Sequence, residues 1–531
     1  MKKLASRWCL VASALLALPG VGRGDVRPHV LFSDGVVLQR GMPVPVWGTA
    51  DDGEKVTVRF QGQEVSATAQ DGKWMVRLAE LQAGGPSTLA IEGKNKVEVA
   101  DVLVGEVWIC SGQSNMEWTL KRAAEADEAI ARAADPMLRL FTVPKAVSDE
   151  PLAAIKVKEG AANPAWKPSD SDSAANFSAV GYFFGRDLRK ALGVPVGLIH
   201  TSWGGTAAEA WTSRRVLEAD PSLKGLVEDY EKALARYPEA REKFQAAQAA
   251  HREKVAEAKA DGRPTPTAPR APVGPDSPHP AGLYNAMIVP LQPFAVRGAI
   301  WYQGESNAGR AFQYRALFPA MIKNWRDDWK QGDFPFLFVQ LAPYHKIVEE
   351  PGESDWAELR EAQLRTAQTL PAAAMAVITD VGDEGDVHPR RKEPVGARLA
   401  MAARAVAYGE RIVGTGPEYA GMDVKGDRAV LRFKNVGQGL VAKDGPLKGF
   451  AVAGEDRKFV AADAEIEGDT VVVHSEKVHQ PVAVRFGWAN YPVVNLWNKD
   501  GLPASPFRTD EYPMITDPQV RGRRPAAARS N

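Results

Sequence analysis

The 531-residue sequence has only two cysteines, eight histidines and no long apolar run in its body, and each shortage excludes a class of structure. Cys9 lies in the N-terminal apolar stretch, so Cys110 is left without a partner for an intrachain disulfide. A zinc site built from several cysteines is excluded for the same reason. No other stretch reaches the roughly 18 apolar residues that a membrane-spanning helix needs. We therefore predict neither disulfides nor a membrane anchor in the mature chain.

The first 24 residues have the pattern of an export signal. Basic residues stand at the start, an apolar run follows from Trp8 to Leu18, and small residues continue to Gly24. Cleavage near residue 24 would remove four cations, so the balance of 66 basic and 66 acidic residues becomes 62 and 66. This small negative charge gives no reason to expect nucleic acid or an anionic membrane surface as a partner. We predict a secreted or periplasmic protein.

Composition and pattern divide the rest of the chain into regions of different character. Short runs of β-forming residues between turn signals predict β-sandwich-like modules near both ends. Between them, apolar strands alternate with helical segments, which predicts a parallel α/β domain interrupted by a charged helical and proline-rich insertion. The predicted boundaries are 25–100 for the N-terminal β domain, 101–213 and 282–412 for the α/β domain, 214–281 for the insertion, 413–517 for the C-terminal β domain and 518–531 for a disordered tail.

Three polar loops follow apolar strands of the predicted α/β domain. They are 111–114, 201–206 and 302–307, and the paired glycines of the second let backbone N–H groups approach a ligand. The carboxyl ends of parallel strands form the crevice in which open α/β sheets bind ligands. We therefore expect these three loops to form one site.

Ser114 stands where a strand gives way to a helix, a position suited to a nucleophile, although a helix-capping serine is the commoner occupant of such a junction. A serine nucleophile needs a base, and His388 is the best histidine for this, with His345 as an alternative. His388 follows an apolar strand and has Asp383 and Asp386 beside it, and such a carboxylate can orient the imidazole. A surface histidine beside acids is the competing interpretation.

Four sequence blocks occur in an order that resembles the sialate O-acetylesterase family of carbohydrate esterases, a branch of the SGNH hydrolases. The likeness covers nearly the whole mature chain and is weakest in the insertion. The blocks are Ser111-Gly112-Gln113-Ser114-Asn115-Met116-Glu117, Trp203-Gly204-Gly205-Thr206, Trp301-Tyr302-Gln303-Gly304-Glu305-Ser306-Asn307 and Asp386-Val387-His388-Pro389.

The resemblance implies a flavodoxin-like three-layer α/β/α SGNH hydrolase domain, with β-sandwich-like modules from the N- and C-terminal regions. It also implies hydrolysis of acetyl esters on sugars with no cofactor and no metal. An O-acetylated sugar or polysaccharide is then the partner. The same scaffold serves acetylxylan and other hemicellulose or pectin acetylesterases, and a non-catalytic sugar-binding protein is a further alternative. The sequence does not specify the oligomeric state.

The resemblance also implies roles for individual residues. Ser114 is the nucleophile, His388 the general base and Asp386 the triad acid, with Asp383 as the alternative. SGNH enzymes usually have the acid three residues before the histidine, where this chain has Gly385. The two-residue offset of Asp386 raises the alternative of a Ser–His dyad.

The predicted oxyanion hole combines the Ser114 N–H, a glycine N–H from Gly204 or Gly205, and a side-chain amide. SGNH enzymes generally use an asparagine for the amide; here Gln303 is the first choice and Asn307 the second. Four further residues of the blocks are predicted to bind substrate, namely Gln113, Asn115, Trp203 and Glu305.

Overall fold

The computed structural model describes residues 25–521, so the predicted signal segment 1–24 and the last ten residues of the predicted tail lie outside the described residues. Eight strands form the N-terminal region. They are β1 (Arg27–Pro28), β2 (Val37–Gln39), β3 (Val44–Thr49), β4 (Lys55–Phe60), β5 (Gln63–Thr68), β6 (Lys73–Leu78), β7 (Gly84–Glu92) and β8 (Lys96–Gly112). Strands β1, β3 and β6 form one small sheet, whereas β2, β4, β5 and β7 join a larger sheet through β8.

Strand β8 is 17 residues long and belongs to two regions at once. Its first half pairs with β7 and β2, and its second half is the centre of the parallel sheet. The predicted boundary at residue 100 therefore falls inside a continuous strand. The other strands of that sheet are β9 (Asp135–Thr142), β10 (Lys167–Ser169), β11 (Val196–Ser202), β12 (Gly298–Tyr302), β13 (Phe336–Val339) and β14 (Ala373–Ala376). Their order is β10-β9-β11-β8-β12-β13-β14, with only β10 antiparallel to its neighbour.

Successive residues of β8 point into two different cores, because strand side chains alternate between the faces of a sheet. Trp108 and the free thiol of Cys110 pack in one core, and Val107 and Ile109 in the other. All four are at most 1% exposed, and a near-continuous apolar run is what a strand buried on both faces requires.

Helices cover these cores. Residues of α4 and α10 pack in the core of Trp108, and residues of α8 and α9 pack in the core of Val107. The helices are α1 (Ser114–Glu117), α2 (Ala126–Ala131), α3 (Ser171–Ala175), α4 (Ala179–Leu192), α5 (Arg214–Ala219), α6 (Lys224–Ala235), α7 (Tyr237–Ala260), α8 (Ala311–Trp329), α9 (Asp355–Thr369), α10 (Glu393–Tyr408) and α11 (Pro518–Arg521). The mixed α/β class predicted from the sequence is confirmed.

The insertion contains α5, α6 and α7, followed by an irregular segment over the prolines. Helices α6 and α7 each bury one residue fully, Val227 and Ala258, so most of their surface faces solvent. No helix within residues 25–521 is both long enough and apolar enough to cross a membrane.

The C-terminal region forms antiparallel sheets around a separate apolar core. Its strands are β15 (Glu418–Lys425), β16 (Arg428–Lys434), β17 (Leu440–Ala442), β18 (Phe450–Ala453), β19 (Val460–Ala461), β20 (Asp463–Glu467), β21 (Thr470–His474), β22 (Ala483–Phe486), β23 (Leu496–Asn498) and β24 (Phe507–Arg508). Two four-stranded sheets, β15-β16-β21-β20 and β19-β18-β22-β24, accompany the pair β17-β23. The prediction that disorder begins at residue 518 is corrected, because α11 occupies 518–521.

Candidate active site

The three predicted loops leave the sheet at the same level. The strand register pairs Gly112 at the end of β8 with both Ser202 of β11 and Tyr302 of β12. The backbone continues these contacts past the strand ends, since Gln113 donates to the Tyr302 carbonyl at 3.0 Å and Trp203 donates to the Gly112 carbonyl at 3.1 Å. The loops after β8, β11 and β12 therefore meet at one edge of the sheet, as predicted from their strand-end positions.

Gly112 makes the turn from β8 into α1 possible. Its φ angle is +139°, and a Cβ atom there would lie 2.2 Å from the carbonyl oxygen of Tyr302. Only glycine fits such a close approach in that conformation. The turn makes Ser114 the first residue of α1, whose N–H has no acceptor within its own helix.

Ser114, His388 and Asp386 form a hydrogen-bonded series. Ser114 Oγ lies 2.8 Å from His388 Nε2, and His388 Nδ1 lies 3.1 Å from Asp386 Oδ1. The carboxylate favours the tautomer with its proton on Nδ1, which leaves Nε2 to accept the Ser114 proton. The two-residue offset thus allows Asp386 to reach the ring.

Asp383, the alternative acid, has a different role. Its Oδ1 atom accepts hydrogen bonds from the backbone N–H groups of Gly385 and Asp386, at 2.8 and 3.1 Å. It therefore holds the loop that carries Asp386 and makes no contact with the imidazole.

Glycines of the second loop lie against the serine. A Cβ atom on Gly204 would be 3.1 Å from the Ser114 Cβ, so glycine allows the close approach of this backbone. The Gly204 N–H donates to Glu117 Oε2 at 2.6 Å, and Lys145 pairs with the other oxygen of Glu117. A backbone donor beside the serine is thus already bound to a negatively charged oxygen. Gly205 has a φ of +74°, with open space where a Cβ would stand.

The two amides predicted for the oxyanion hole are turned inward. Gln303 is 0% exposed; its Nε2 donates to the Thr206 carbonyl and to Asn307 Oδ1, and its Oε1 accepts from Tyr314. Asn307 is 1% exposed and donates to Glu209. We therefore correct this prediction, because both side chains are buried and donate to acceptors inside the protein.

Of the residues predicted to bind substrate, Asn115 is buried and Glu305 is half-buried. Asn115 is 0% exposed and its Nδ2 donates to Glu305 Oε1 at 2.5 Å. Burial raises the pKa of the Glu305 carboxyl. The assignment of Asn115 as a substrate contact is corrected, because this side chain has no exposed surface with which to meet a substrate. The assignment of Glu305 stays a prediction. The other two residues predicted to bind substrate are Gln113 and Trp203. Gln113 is 3% exposed, and its side-chain oxygen accepts a hydrogen bond from the Ser306 N–H at 3.4 Å. The Lys145 ammonium lies 5.3 Å from the ring centre of Trp203.

A cavity of about 520 Å³ opens beside Ser114 and His388. Trp118 stacks on the His388 ring with centroids 5.3 Å apart, and the Arg122 guanidinium lies 3.6 Å from the Trp118 ring centre. His200 lines the same cavity, and its Nε2 lies 2.6 Å from Ser202 Oγ. Burial lowers the pKa of His200 to about 4, so this ring is neutral near pH 7.

Sequence reasoning missed several residues of the site. Glu117 and Trp118 could have been predicted, because Glu117 ends the first sequence block and Trp118 follows it directly. Lys392 follows His388 by four residues and is 0% exposed, and a lysine in a charged stretch gives no signal that it is buried. Among residues 25–521, no cluster of three or more His, Cys, Asp or Glu side chains could hold a metal ion.

The chain is similar to carbohydrate esterases. A family model described as "Carbohydrate esterase, sialic acid-specific acetylesterase" matches residues 104–250 and 277–404. The sialate O-acetylesterase of Rattus norvegicus is 34% identical over 413 residues, which are 69% of this chain and 70% of that protein. The sialate O-acetylesterase of Homo sapiens is 29% identical, over 93% of this chain and 97% of that protein.

A solved structure extends the similarity to the fold. The crystal structure of a carbohydrate acetylesterase from Xanthomonas citri matches with a TM-score of 0.77 and 40% sequence identity. The match covers 92% of this chain and 100% of that one.

Proposed function

The chain belongs to the family of sialic acid-specific acetylesterases, and from this premise we propose that it removes O-acetyl groups from sugars with Ser114 as nucleophile. Membership makes it a carboxylic ester hydrolase and a carbohydrate acetylesterase. The observation that best supports the residue assignment is the 2.8 Å contact between Ser114 Oγ and His388 Nε2 at the mouth of the cavity. A nucleophile and its base need this spacing.

In the first proposed step, Ser114 Oγ forms a bond to the acetyl carbonyl carbon while its proton moves to His388 Nε2. The ester C–O bond then breaks as His388 gives that proton to the departing sugar oxygen. Water next attacks the acetyl-serine, with its proton passing to His388. The bond to Ser114 breaks, the proton returns to Oγ, and acetate leaves.

Backbone N–H groups of Ser114 and of Gly204 or Gly205 are the proposed oxyanion donors. The Glu117 carboxylate bound to the Gly204 N–H supports this role, because a donor that holds one negative oxygen suits another. In the proposal the oxyanion replaces Glu117 as the acceptor. Asp386 orients the His388 ring and stabilises its protonated form.

We infer that the sugar carries a negative charge. Arg122 lines the cavity and forms no salt bridge with any residue in the range 25–521. An unpaired guanidinium beside the nucleophile suits a carboxylate-bearing sugar such as a sialic acid better than a neutral xylan. Acetylated pectin, which is also acidic, is the appropriate competitor in a test.

We also propose that residues 1–24 direct export and are removed, which the basic start and the apolar run support. N-terminal sequencing of the exported protein tests this, and an intact Met1 in that protein would contradict it. The proposed catalytic domain is a three-layer SGNH domain of residues 101–213 and 282–412, interrupted by the 214–281 insertion and flanked by β domains at 25–100 and 413–517. The two cores on opposite faces of β8 support the three layers.

Acetate release is the direct test of function. Purified wild-type protein and Ser114→Ala are compared on O-acetylated sialic acid, acetylated pectin, acetylxylan and p-nitrophenyl acetate, with Ser222→Ala as an exposed serine control. We expect wild type and Ser222→Ala to release acetate, and Ser114→Ala to lose at least about 10³-fold in kcat. Equal hydrolysis by Ser114→Ala would overturn the nucleophile assignment, and no hydrolysis by wild type would overturn the function.

A further inference from the structure

The side chain of Asn115 joins three parts of the chain beneath the catalytic pair. Its Nδ2 donates to Glu305 Oε1 at 2.5 Å and to the Val387 carbonyl at 3.0 Å. Its Oδ1 accepts from the Lys392 ammonium at 2.5 Å. The amide therefore uses both hydrogens and its oxygen in internal bonds.

The residues joined by one of these hydrogen bonds, Asn115 and Val387, are sequence neighbours of the two proposed catalytic residues. Asn115 follows Ser114, and Val387 precedes His388. A hydrogen bond between the two neighbours restrains the distance between the nucleophile and its base. Two interactions thus support the 2.8 Å contact between Ser114 Oγ and His388 Nε2. One is the hydrogen bond from Asn115 to the Val387 carbonyl, and the other is the contact of Asp386 with His388 Nδ1.

Lys392 on one side, and Glu305 with the Val387 carbonyl on the other, together fix which way the Asn115 amide points. The amide would fit its space equally well after a half-turn, which would exchange its oxygen and its NH2 group. An ammonium has hydrogens to donate and no lone pair, so it demands the oxygen. The NH2 group is thereby directed toward Glu305 and the Val387 carbonyl.

Burial acts on both ionisable groups at this amide: it lowers the pKa of Lys392 to about 7, an effect that Glu305 opposes, and it raises the pKa of Glu305. Lys392 is 0% exposed, and its Nζ lies 5.3 Å from the ring centre of Tyr302 and 5.8 Å from that of Trp118. An isolated buried ammonium is strongly unfavourable, so a carboxylate nearby is required. Glu305 supplies it through Asn115, which binds the Glu305 carboxylate with its NH2 group and the Lys392 ammonium with its oxygen.

We propose that Lys392 is a positioning residue for the Ser114–His388 pair, acting through Asn115 with Glu305 as its counter-charge. This inference rests on the proposed function of Ser114 and His388. Lys392 touches neither the substrate cavity nor the reacting atoms, so its loss should misalign the pair without weakening substrate binding.

The test is a comparison of Lys392→Met, Asn115→Ala and the double variant on p-nitrophenyl acetate. Arg404→Met is the control, because Arg404 lies on α10 and pairs with Glu410 away from the cavity. We expect Lys392→Met to lower kcat about 10- to 100-fold with KM within about twofold, since small misplacements of reacting groups have effects of that size. The double variant should be no slower than Asn115→Ala, and Arg404→Met should keep the wild-type kcat.

A kcat for Lys392→Met within about twofold of wild type would overturn the inference, and so would losses that multiply in the double variant. If the methionine variant does not fold, Lys392→Gln replaces it, because its amide nitrogen falls one bond short of Asn115 and carries no charge. The same loss of kcat is expected, and wild-type activity would overturn the inference. An inactive wild type would instead contradict the proposed function.

Discussion

One oxygen of Asp386 accepts hydrogen bonds from two atoms of His388, the backbone N–H at 2.9 Å and the ring Nδ1 at 3.1 Å. The carboxylate thus fixes both the local backbone and the imidazole, although it stands only two residues before the histidine. Its side chain is 52% exposed, so water weakens its electrostatic effect on the ring.

We predict that Asp386→Asn lowers kcat about 10- to 100-fold. A buried triad aspartate loses about 10⁴-fold on the same change, and an exposed one should lose less because solvent already screens its charge. Asp383→Asn is the matched control, since its remaining carbonyl oxygen can still accept from Gly385 and Asp386. Steady-state kinetics of the two variants on one ester show which aspartate supports His388. A larger loss of kcat for Asp383→Asn would make Asp383 the triad acid in place of Asp386.

Gly112→Ala should destabilise the fold. The new Cβ would stand 2.2 Å from the Tyr302 carbonyl oxygen at a φ of +139°, so β8 and β12 must separate. We expect a loss of at least about 2 kcal/mol in the free energy of unfolding, measured by urea denaturation. In contrast, Gly225→Ala in helix α6 has open space around its Cβ and should gain up to about 1 kcal/mol. Similar midpoints for the two variants would show that the close contact at Gly112 is unimportant.

Arg122→Gln should weaken the binding of acidic sugars selectively. Loss of a charge-assisted hydrogen bond is worth about 1.5–3 kcal/mol, so KM for O-acetylated sialic acid should rise about tenfold or more. KM for p-nitrophenyl acetate, which has no carboxylate, should stay within about twofold. Arg132→Gln is the control, because Arg132 pairs with Glu128 on an exposed surface. Equal effects of Arg122→Gln on both esters would argue against an anionic substrate.

Stability should fall as the pH falls from about 6.5 to 4. Burial lowers the pKa of His29 to about 4, whereas the unfolded chain has a histidine pKa near 6.5. Between these values the unfolded state binds a proton that the folded state does not, so acid favours unfolding. His29 should contribute about 3 kcal/mol to this loss, and His200 acts in the same direction.

Urea denaturation of His29→Gln between pH 4.5 and 7 measures that contribution. We expect the variant to have a flatter dependence of unfolding free energy on pH than wild type. Wild type, measured over the same pH range, is the reference. If the slope of His29→Gln equals that of wild type, His29 is not the group responsible.

The position of the site could be predicted from the sequence, because apolar strands followed by polar loops determine which edge of the sheet carries them. Ser114, the glycines of the second loop and His388 lie together for this reason. The partners of individual amides could not be predicted in the same way. Gln303, Asn307 and Asn115 are polar residues in loops, and only the folded backbone decides whether such a residue faces a cavity or a buried carbonyl.

Domain limits were harder to predict for a related reason. Turn signals and composition change near residue 100, yet the strand runs on from Lys96 to Gly112, with shifts in its register against β7 between Val99 and Val104. When one strand pairs with different neighbours along its length, its sequence does not show the residue at which one set of neighbours replaces the other. Lys392 was missed because a charged residue is ordinarily solvated, and its burial depends on residues far away in the chain.

The shared strand β8 limits how this protein can be divided or recombined. A fragment cut at residue 100 would lose the stretch that pairs with β7, and the catalytic sheet would begin with a frayed central strand. We expect the N-terminal region and the catalytic region to unfold in a single transition and to be inherited together. In a chimera that takes its N-terminal region from a homologue, the junction between the two sequences should therefore lie before β7 or after Gly112, and not within the stretch from β7 to Gly112.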